Sequence, residues 1–294
     1  MINIFPIILT GIQSLSPNDI GRQLANTHTI FAIIAVLVEL PFTGKLIWLA
    51  EKIVPVLPEE NQQMEDRSLV YMTQLTKVPA PVALRQTQRE ITRMGHIAAD
   101  NLQRALDCFF HYNSAKAASV RSHEESVNIL NHLIADAMVD LRSLDLSPEN
   151  MRRVSMMTIA VTDIERLSDH AENIVEYIEQ MNAKKAEMSD AARKELIDMS
   201  KDAMDAVYMA LDIFEKDDYN KLDQIEILEQ HVDDHEKDLI NNHIERIMNS
   251  LCNPLSAVIF SDLVTDLERC SDHAINLAYA LKERPSEMDA PKII

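Results

Sequence analysis

The sequence predicts an all-α protein, with two tandem three-helix bundles preceded by a short apolar helical segment long enough to be transmembrane. Three observations carry this prediction. Glycine is scarce, with 4 residues in 294, and no proline lies between Pro81 and Pro148 or between Pro148 and Pro254. Beyond Pro81, apolar residues recur with the 3.6-residue period of an amphipathic helix. Finally, the helical part contains an internal repeat, which indicates a duplicated domain.

The composition of the chain argues against several classes of function. The chain carries 28 Lys+Arg against 47 Asp+Glu, a formal net charge of -19. Nucleic-acid binding requires clustered basic residues, so we expect no nucleic-acid partner. Cys108, Cys252 and Cys270 form no Cys-x-x-Cys pair. They therefore predict reduced thiols in a cytoplasmic compartment, and neither a disulfide framework nor a thiolate zinc site.

The first element, residues 1–56, is nearly neutral, with three basic and three acidic residues, and it contains a long apolar run. Residues 28–50 have about the length that crosses a bilayer. Glu39 and Lys45 interrupt the run, and charges at membrane depth are costly unless other helices partner them. The alternative is a buried helix of a soluble protein. Residues 57–81 are rich in proline and charge, and we interpret them as a linker or surface loop.

Helical periodicity then predicts six helices, followed by a tail at 285–294. The first bundle spans 82–184 and the second spans 185–284. The predicted helices are 82–114, 117–143, 148–183, 188–216, 219–250 and 254–282. Two starts are well marked, because Ser147-Pro148 and Asn253-Pro254 each place a capping side chain before a proline at the first helical position.

The repeat is densest in the third helix of each bundle. Residues 162–173 pair with residues 265–276, and nine of the twelve positions are identical. At an offset of 105 residues, Ala105–Phe109 matches Ala210–Phe214. A period this long indicates a duplicated domain rather than a solenoid of short repeats, because each unit is large enough to have its own core.

Acidic residues four apart recur on the second and third helix of each repeat. Residues at this spacing share one helix face, and helices joined by a short turn are antiparallel neighbours. Each bundle is therefore expected to gather up to four such side chains. The candidate site residues are Glu124, Asn128, Glu165, Asp169, Glu229, Asp233, Glu268 and Asp272.

Clustered carboxylates repel one another unless a positive charge lies between them, which leaves two interpretations open. Arg166 and Arg269 would complete a buried polar layer. Alternatively, a divalent or ferric metal ion would bind the carboxylate oxygens, with His170 or His273 nearby. A third interpretation, a row of solvent-exposed side chains that bind nothing, is disfavoured because the four-residue spacing recurs on four helices. No nucleophile or phosphate-loop motif occurs, so we expect no enzyme, although carboxylate-bundle metalloenzymes define an alternative class.

The paired segments Asp163–Ile174 and Asp266–Leu277 resemble the signature of PhoU domains. Those phosphate-signalling proteins consist of two three-helix bundles in which Glu/Asp-x-x-x-Asp motifs hold metal clusters. The resemblance covers about residues 85–283, and it implies that the eight candidate residues are metal ligands. Asn128 departs from the pattern, because it stands where a carboxylate is expected. The second bundle is therefore expected to bind metal better than the first.

Further upstream, Gln23–Phe31 resembles the last membrane part of bacterial sodium/phosphate cotransporters, in which a PhoU-like domain follows. The resemblance implies a cytoplasmic regulatory domain of a sodium-dependent phosphate transporter at the cell inner membrane. Its expected partners are a transporter membrane domain or a phosphate-signalling protein, and a homo-oligomer is compatible with it. A free-standing PhoU-type regulator is the alternative.

The transporter family's ion-binding membrane repeats are absent, so this chain alone is not expected to transport phosphate. It would be a truncated transporter, a separately expressed regulatory piece or a C-terminal fragment.

Overall fold

The computed structural model describes residues 10, 11, 14, 17, 19–43, 45, 66–72 and 74–282. No strand occurs among them, and the all-α prediction is confirmed. The chain divides into two units, Met1–Asn61 and Gln62–Ile294. The predictions for the tail at 285–294, for most of the linker before residue 66 and for the apolar residues 46–50 lie outside the described residues.

The N-terminal unit contains helix α1, Ile20–Glu39, followed by a 3₁₀ turn at Leu40–Phe42. Asp19 caps α1 by accepting a hydrogen bond from the backbone N–H of Arg22 at 3.0 Å. The apolar helix thus begins eight residues before the predicted span at residue 28, because Asp19 supplies a cap. Its apolar side chains are exposed; Phe31, for example, is 70% exposed. Among the described residues, the stretch Ile20–Phe42 alone has the length and apolar composition that crossing a membrane requires.

The described part of the second unit contains six long helices. They are α2 (Ala80–Phe110), α3 (Ser114–Arg142), α4 (Pro148–Lys184), α5 (Asp190–Lys216), α6 (Leu222–Met248) and α7 (Pro254–Tyr279). The two predicted caps form as expected. The Ser147 side chain accepts from the backbone N–H of Asn150 at 3.2 Å, and the Asn253 side chain accepts from Leu255 at 2.9 Å.

Four predicted boundaries were wrong by three or four residues. Two of them are the start of α3, at Ser114 rather than 117, and the end of α7, at Tyr279 rather than 282. Helix α2 ends at Phe110 rather than 114, because Asn113 caps the next helix by accepting from the backbone N–H groups of Ala115 and Lys116. Helix α6 begins at Leu222 rather than 219, since the residues before it, Tyr219–Lys221, form a 3₁₀ turn. None of these changes moves a candidate site residue off its helix.

Helices α2, α3 and α4 pack against one another as the first bundle, and α5, α6 and α7 pack as the second. One continuous apolar core runs through both bundles. Its largest fully buried side chains include Phe214, Phe260, Met94 and Met157. Burying each such side chain contributes roughly 1.5–3 kcal/mol, so packing rather than helix propensity stabilises the assembly.

The bundles meet along α4 against α7 and α2 against α5. At the first contact His170 Nδ1 lies 3.0 Å from Asp266 Oδ1, and His273 Nδ1 lies 3.0 Å from Asp163 Oδ1. His170 and His273 are equivalent positions of the repeat, as are Asp163 and Asp266. The histidine of each bundle pairs with the aspartate of the other bundle, so the contact is reciprocal. Reciprocal contacts are the property of a twofold interface. The two bundles are therefore related by a pseudo-twofold axis.

Gly95 allows the second contact, between α2 and α5. A Cβ at this position would lie 2.4 Å from Leu211 Cδ2 of α5 and 3.3 Å from Ile164 Cδ1 of α4. Both neighbours are fully buried, so neither has free space to move into. The glycine thus explains how α2 approaches two helices at once, although glycine lowers helix propensity by about 1 kcal/mol relative to alanine.

The segment before α2 is attached to the first bundle. Glu90 is fully buried and accepts hydrogen bonds from the backbone N–H groups of Val70 and Tyr71 at 2.9 and 2.5 Å. Arg67 reaches α3, where it contacts Glu125 Oε2 at 2.6 Å. Leu75, in a short 3₁₀ helix, is buried in the core. The described residues of the predicted linker therefore pack against the first bundle.

Candidate metal centre

The structure brings the eight predicted site residues into two clusters, one in each bundle. Residues from α3 and α4 form cluster 1, namely Glu124, Asn128, Glu165 and Asp169. Residues from α6 and α7 form cluster 2, namely Glu229, Asp233, Glu268 and Asp272. Seven of these side chains are half-buried, and Asp272 is exposed. Both clusters therefore face a partly desolvated groove between two antiparallel helices rather than the core.

Cluster 1 centres on Glu124. Burial raises the pKa of its carboxyl group to about 7, and the negative charges of Glu172, Asp169 and Glu165 on α4 contribute to the increase. The pKa of Glu165 is also raised, first by burial and then by Asp169. These carboxylates thus lie close enough to repel one another across the α3–α4 groove.

Asn128 completes cluster 1 without adding charge. Its amide Nδ2 donates a hydrogen bond to Glu124 Oε1, one helical turn away. An aspartate at this position would repel Glu124, whereas the amide stabilises it. The asymmetry that the sequence predicts between the two bundles therefore has a structural counterpart in this hydrogen bond.

Cluster 2 has the same architecture with a full set of carboxylates. Burial raises the pKa of Glu268 to about 7, and Asp272, Glu236 and Asp233 add to the effect. The pKa of Glu229 is raised by burial, then by Asp233 and Asp272. Each cluster thus contains one half-buried glutamate with a pKa near 7, although the two are not equivalent in the repeat, because Glu124 lies on the second helix of its bundle and Glu268 on the third.

The two arginines do not form the buried polar layer that one interpretation requires. Arg166 is exposed and lies 3.5 Å from Asp169 Oδ2 and 3.9 Å from Glu165 Oε2, both on its own helix. Arg269 is likewise exposed and lowers the pKa of Glu268 only in part. Charges at the rim of a groove are screened by water, so most of the repulsion between the carboxylates remains.

His170 and His273 take a different role from the expected one beside a metal. Each presents Nδ1 to an aspartate of the opposite bundle, as described above. Tyr177 donates a further hydrogen bond to Asp266 Oδ2 at 2.9 Å. These side chains therefore join the bundles. His273 still lowers the pKa of Glu165 through its proximity, which places the interface next to cluster 1.

Sequence reasoning missed several side chains that contribute to the clusters. Glu172 raises the pKa of Glu124, and His132 lowers that of Glu165. In the second bundle, Glu236 raises the pKa of Glu268 and Lys237 lowers that of Glu229. The signal was present, because each lies three or four residues beyond a predicted ligand on the same helix face.

The donor chemistry of both clusters fits a hard, multivalent cation. Carboxylate oxygens are the ligands that Mg²⁺, Ca²⁺, Mn²⁺ and iron accept in helical bundles. In the described part of the chain, no basic side chain is buried between the carboxylates of either cluster. A bound cation would offset the repulsion that raises the pKa of Glu124 and of Glu268.

Comparison with known proteins agrees with this geometry. The sequence pattern of the PhoU domain family matches residues 91–178 and again residues 196–281, which together make up more than half of the chain. The chain belongs to the PhoU domain family. Each match covers one bundle, so the two PhoU domains coincide with the repeat that the sequence predicts.

The relatives share the PhoU fold at low sequence identity. The phosphate-specific transport system accessory protein PhoU homolog 1 of Thermotoga maritima is 23% identical over 189 residues, which are 64% of this chain and 81% of that protein. The structure of PhoU from Pseudomonas aeruginosa superposes with a TM-score of 0.63 at 20% identity, covering 67% of this chain and 94% of that one.

The phosphate transport system regulatory protein PhoU from Streptococcus pneumoniae superposes with a TM-score of 0.62 at 17% identity, covering 69% of this chain and 95% of that one. The superpositions establish that the two-bundle body of this chain has the PhoU fold. About a third of this chain lies outside each superposition.

Proposed function

We propose that this chain is a regulator of phosphate transport whose two carboxylate clusters bind metal ions. The observation that carries the proposal is the repeated cluster itself, because the PhoU fold presents it twice with a half-buried glutamate whose pKa is near 7. The similar protein from Thermotoga maritima is named as an accessory protein of a phosphate transport system. The chain would regulate transport without carrying phosphate itself.

The bound ions would act on the packing of the bundles. Glu124 and Asn128 would hold an ion from α3, and Glu165 and Asp169 would hold it from α4, with Glu229, Asp233, Glu268 and Asp272 serving the second bundle. The metal would supply positive charge that neutralises the clustered carboxylates. A bound metal ion would thereby hold the two helices of each pair together. It would also fix the shape of the groove between them, which a partner protein would contact.

We further propose that the chain acts at the cytoplasmic face of the inner membrane, as a regulatory domain of a sodium-dependent phosphate transporter. The support is helix α1, whose apolar side chains are exposed along its length. Exposed apolar side chains on a helix of this length are satisfied by lipid or by a partner's membrane helices. The net charge of -19 would keep the bundles in water and away from anionic lipid headgroups.

A free-standing PhoU-type regulator is the second candidate. It is supported by the matched relatives, which are named an accessory protein and a regulatory protein of a phosphate transport system. The two candidates differ in what α1 does. A regulator that works without α1 would be free-standing, whereas a domain tethered to its transporter would require the helix.

The test is phosphate uptake by cells of the source organism in which the gene is deleted and then restored. Restoring the full chain should make the uptake rate respond to external phosphate again. A chain with Glu268→Gln and Asp272→Asn should restore much less of the response. If deletion leaves the phosphate response of uptake unchanged, the proposed regulatory function is wrong.

A further inference from the structure

Besides cluster 2, the second bundle contains three further side chains of types that bind metals. Asp202 is on α5, and His231 and His235 are on α6, one helical turn apart. One ligand atom from each of the three residues lies within 4.8 Å of the other two. Two histidines at this spacing on one helix present their rings to the same point.

The distances within this group are short. Asp202 Oδ2 lies 2.9 Å from His235 Nδ1 and 3.3 Å from His231 Nδ1. The two imidazole rings are 4.6 Å apart between centroids. In a tetrahedral zinc site, with metal–ligand bonds of about 2.0–2.1 Å, neighbouring ligand atoms are about 3.3 Å apart. The three side chains are therefore already close to the spacing of metal ligands.

Hydrogen bonding does not account for this arrangement. His235 Nδ1 is buried, yet it forms no hydrogen bond with any residue in the described part of the chain, although Asp202 Oδ2 is only 2.9 Å away. By contrast, His170 and Asp266 form a hydrogen bond at the similar distance of 3.0 Å. A buried nitrogen without a hydrogen bond is destabilising, and a cation between the nitrogen and the carboxylate would satisfy both groups.

The group is separate from cluster 2, although both use α6. Each helical residue turns by about 100°, so His231 is about 200° around α6 from Glu229. The carboxylates of α6 face α7, whereas its histidines face Asp202 on α5. The first bundle lacks the group, because Ile97, Ser126 and Leu130 occupy the equivalent positions at the offset of 105 residues.

We propose that Asp202, His231 and His235 form a binding site for a divalent transition metal such as Zn²⁺. Two imidazoles and one carboxylate are a donor set that such metals prefer over Mg²⁺ and Ca²⁺, which take oxygen ligands. Three protein ligands leave one coordination position, and the exposure of His231 keeps that position open to water or to a partner's side chain. The second bundle would thus carry a nitrogen-ligated metal in addition to the oxygen-ligated one.

The experiment is a titration of the purified full chain with ZnCl₂ against a competing chelator dye. To separate this site from both carboxylate clusters, every protein in the series carries Glu124→Gln, Glu165→Gln, Glu229→Gln and Glu268→Gln. Substituting His231→Gln or His235→Gln should weaken zinc binding at least about 100-fold, since even partners outside the ligand shell contribute about 10- to 100-fold. His96→Gln, an exposed histidine of the first bundle, is the matched control and should bind zinc unchanged.

Two results would overturn the proposal. One is the absence of zinc binding to the chain that retains all three side chains. The other is equal zinc affinity in the His235→Gln and His96→Gln proteins. Failure here would leave the proposed regulatory function intact, because both carboxylate clusters are already removed from every protein in the series.

Discussion

Asn128 and Asp233 occupy equivalent positions in the two bundles but differ in charge. Asn128 donates a hydrogen bond to Glu124, whereas Asp233 adds to the repulsion that raises the pKa of Glu229. An amide offers one neutral oxygen to a cation, and its NH₂ group repels the cation. If cluster 1 binds metal as proposed, Asn128 would lower its metal affinity and stabilise its metal-free form.

The substitution Asn128→Asp should raise the metal affinity of cluster 1 and lower the stability of its metal-free form. In chelator-treated protein, the melting temperature should fall, because Glu124 loses a hydrogen bond and gains a negative neighbour. With metal in excess, the same variant should be stabilised relative to wild type, because cluster 1 then has four carboxylates. Thermal melts with and without metal check this, and a variant destabilised under both conditions would contradict it.

The raised pKa values of Glu124 and Glu268 predict a pH dependence of stability. Both are near 7 in the folded chain, above the ordinary value of 4.5. The folded state therefore binds more protons than the unfolded state between these pH values, and the contribution of the two groups to stability is lost as pH rises through about 7.

Replacing both groups with glutamine should remove this contribution. In the absence of metal, the stability advantage of Glu124→Gln/Glu268→Gln over wild type should grow as pH increases from about 5 to about 8. Urea denaturation across that range measures the difference. A constant difference would mean that the two carboxyl groups titrate at their ordinary pKa.

At the scale of elements, the contact between α4 and α7 is symmetric in position but not in hydrogen bonding. Asp266 accepts from His170, from Tyr177 and, at 3.5 Å, from Asn173, whereas Asp163 accepts from His273 and its Oδ2 has no partner in the described part of the chain. Both aspartates are buried. The α7 aspartate thus contributes more to joining the bundles than its α4 equivalent.

Asp266→Asn should therefore destabilise the chain more than Asp163→Asn. The first removes the charge to which three side chains donate, and we expect a loss of about 1–3 kcal/mol in the free energy of unfolding. The second affects one donor, so its loss should be smaller. Urea denaturation of the two single variants compares them directly, and equal losses would show that the additional hydrogen bonds to Asp266 contribute nothing.

The helices and the two bundles could be predicted from the sequence, because the signals for them are local. Periodicity and the capping residues Ser147 and Asn253 gave the helices and their starts, and the repeat gave the two bundles. The i, i+4 spacing gave the eight cluster residues. The pairing of His170 with Asp266 could not be predicted, since it depends on how one bundle meets the other. The group at Asp202 was missed because its ligands come from two helices and have no counterpart in the other repeat.

At the scale of the whole molecule, the chain combines two surfaces with opposite solvent preferences. Helix α1 exposes apolar side chains, among them Ile33, Leu37 and Phe31, whereas the excess of acidic charge belongs to residues beyond 56. Lipid would cover the first surface and water the second. A chain of this composition should therefore be found at membranes without being able to move an ion across them.

Fractionation of cells that express the full chain tests this expectation. The protein should be recovered with membranes and be released by detergent, and Leu37→Arg together with Ile33→Arg should shift it toward the soluble fraction. Vesicles that contain this chain alone should take up no phosphate, because coupled transport requires binding sites formed by paired membrane repeats. Full recovery of wild type in the soluble fraction would favour the free-standing regulator.

The most direct test of the account is the metal content of the purified full chain, measured in a His231→Gln/His235→Gln background that removes the nitrogen-ligated group. The carboxylate clusters should then still bind metal. Glu268→Gln/Asp272→Asn should remove more of it than Glu165→Gln/Asp169→Asn, because cluster 2 has four carboxylates. No bound metal, together with a melting temperature that does not change when iron, zinc, manganese or magnesium is added, would contradict the account.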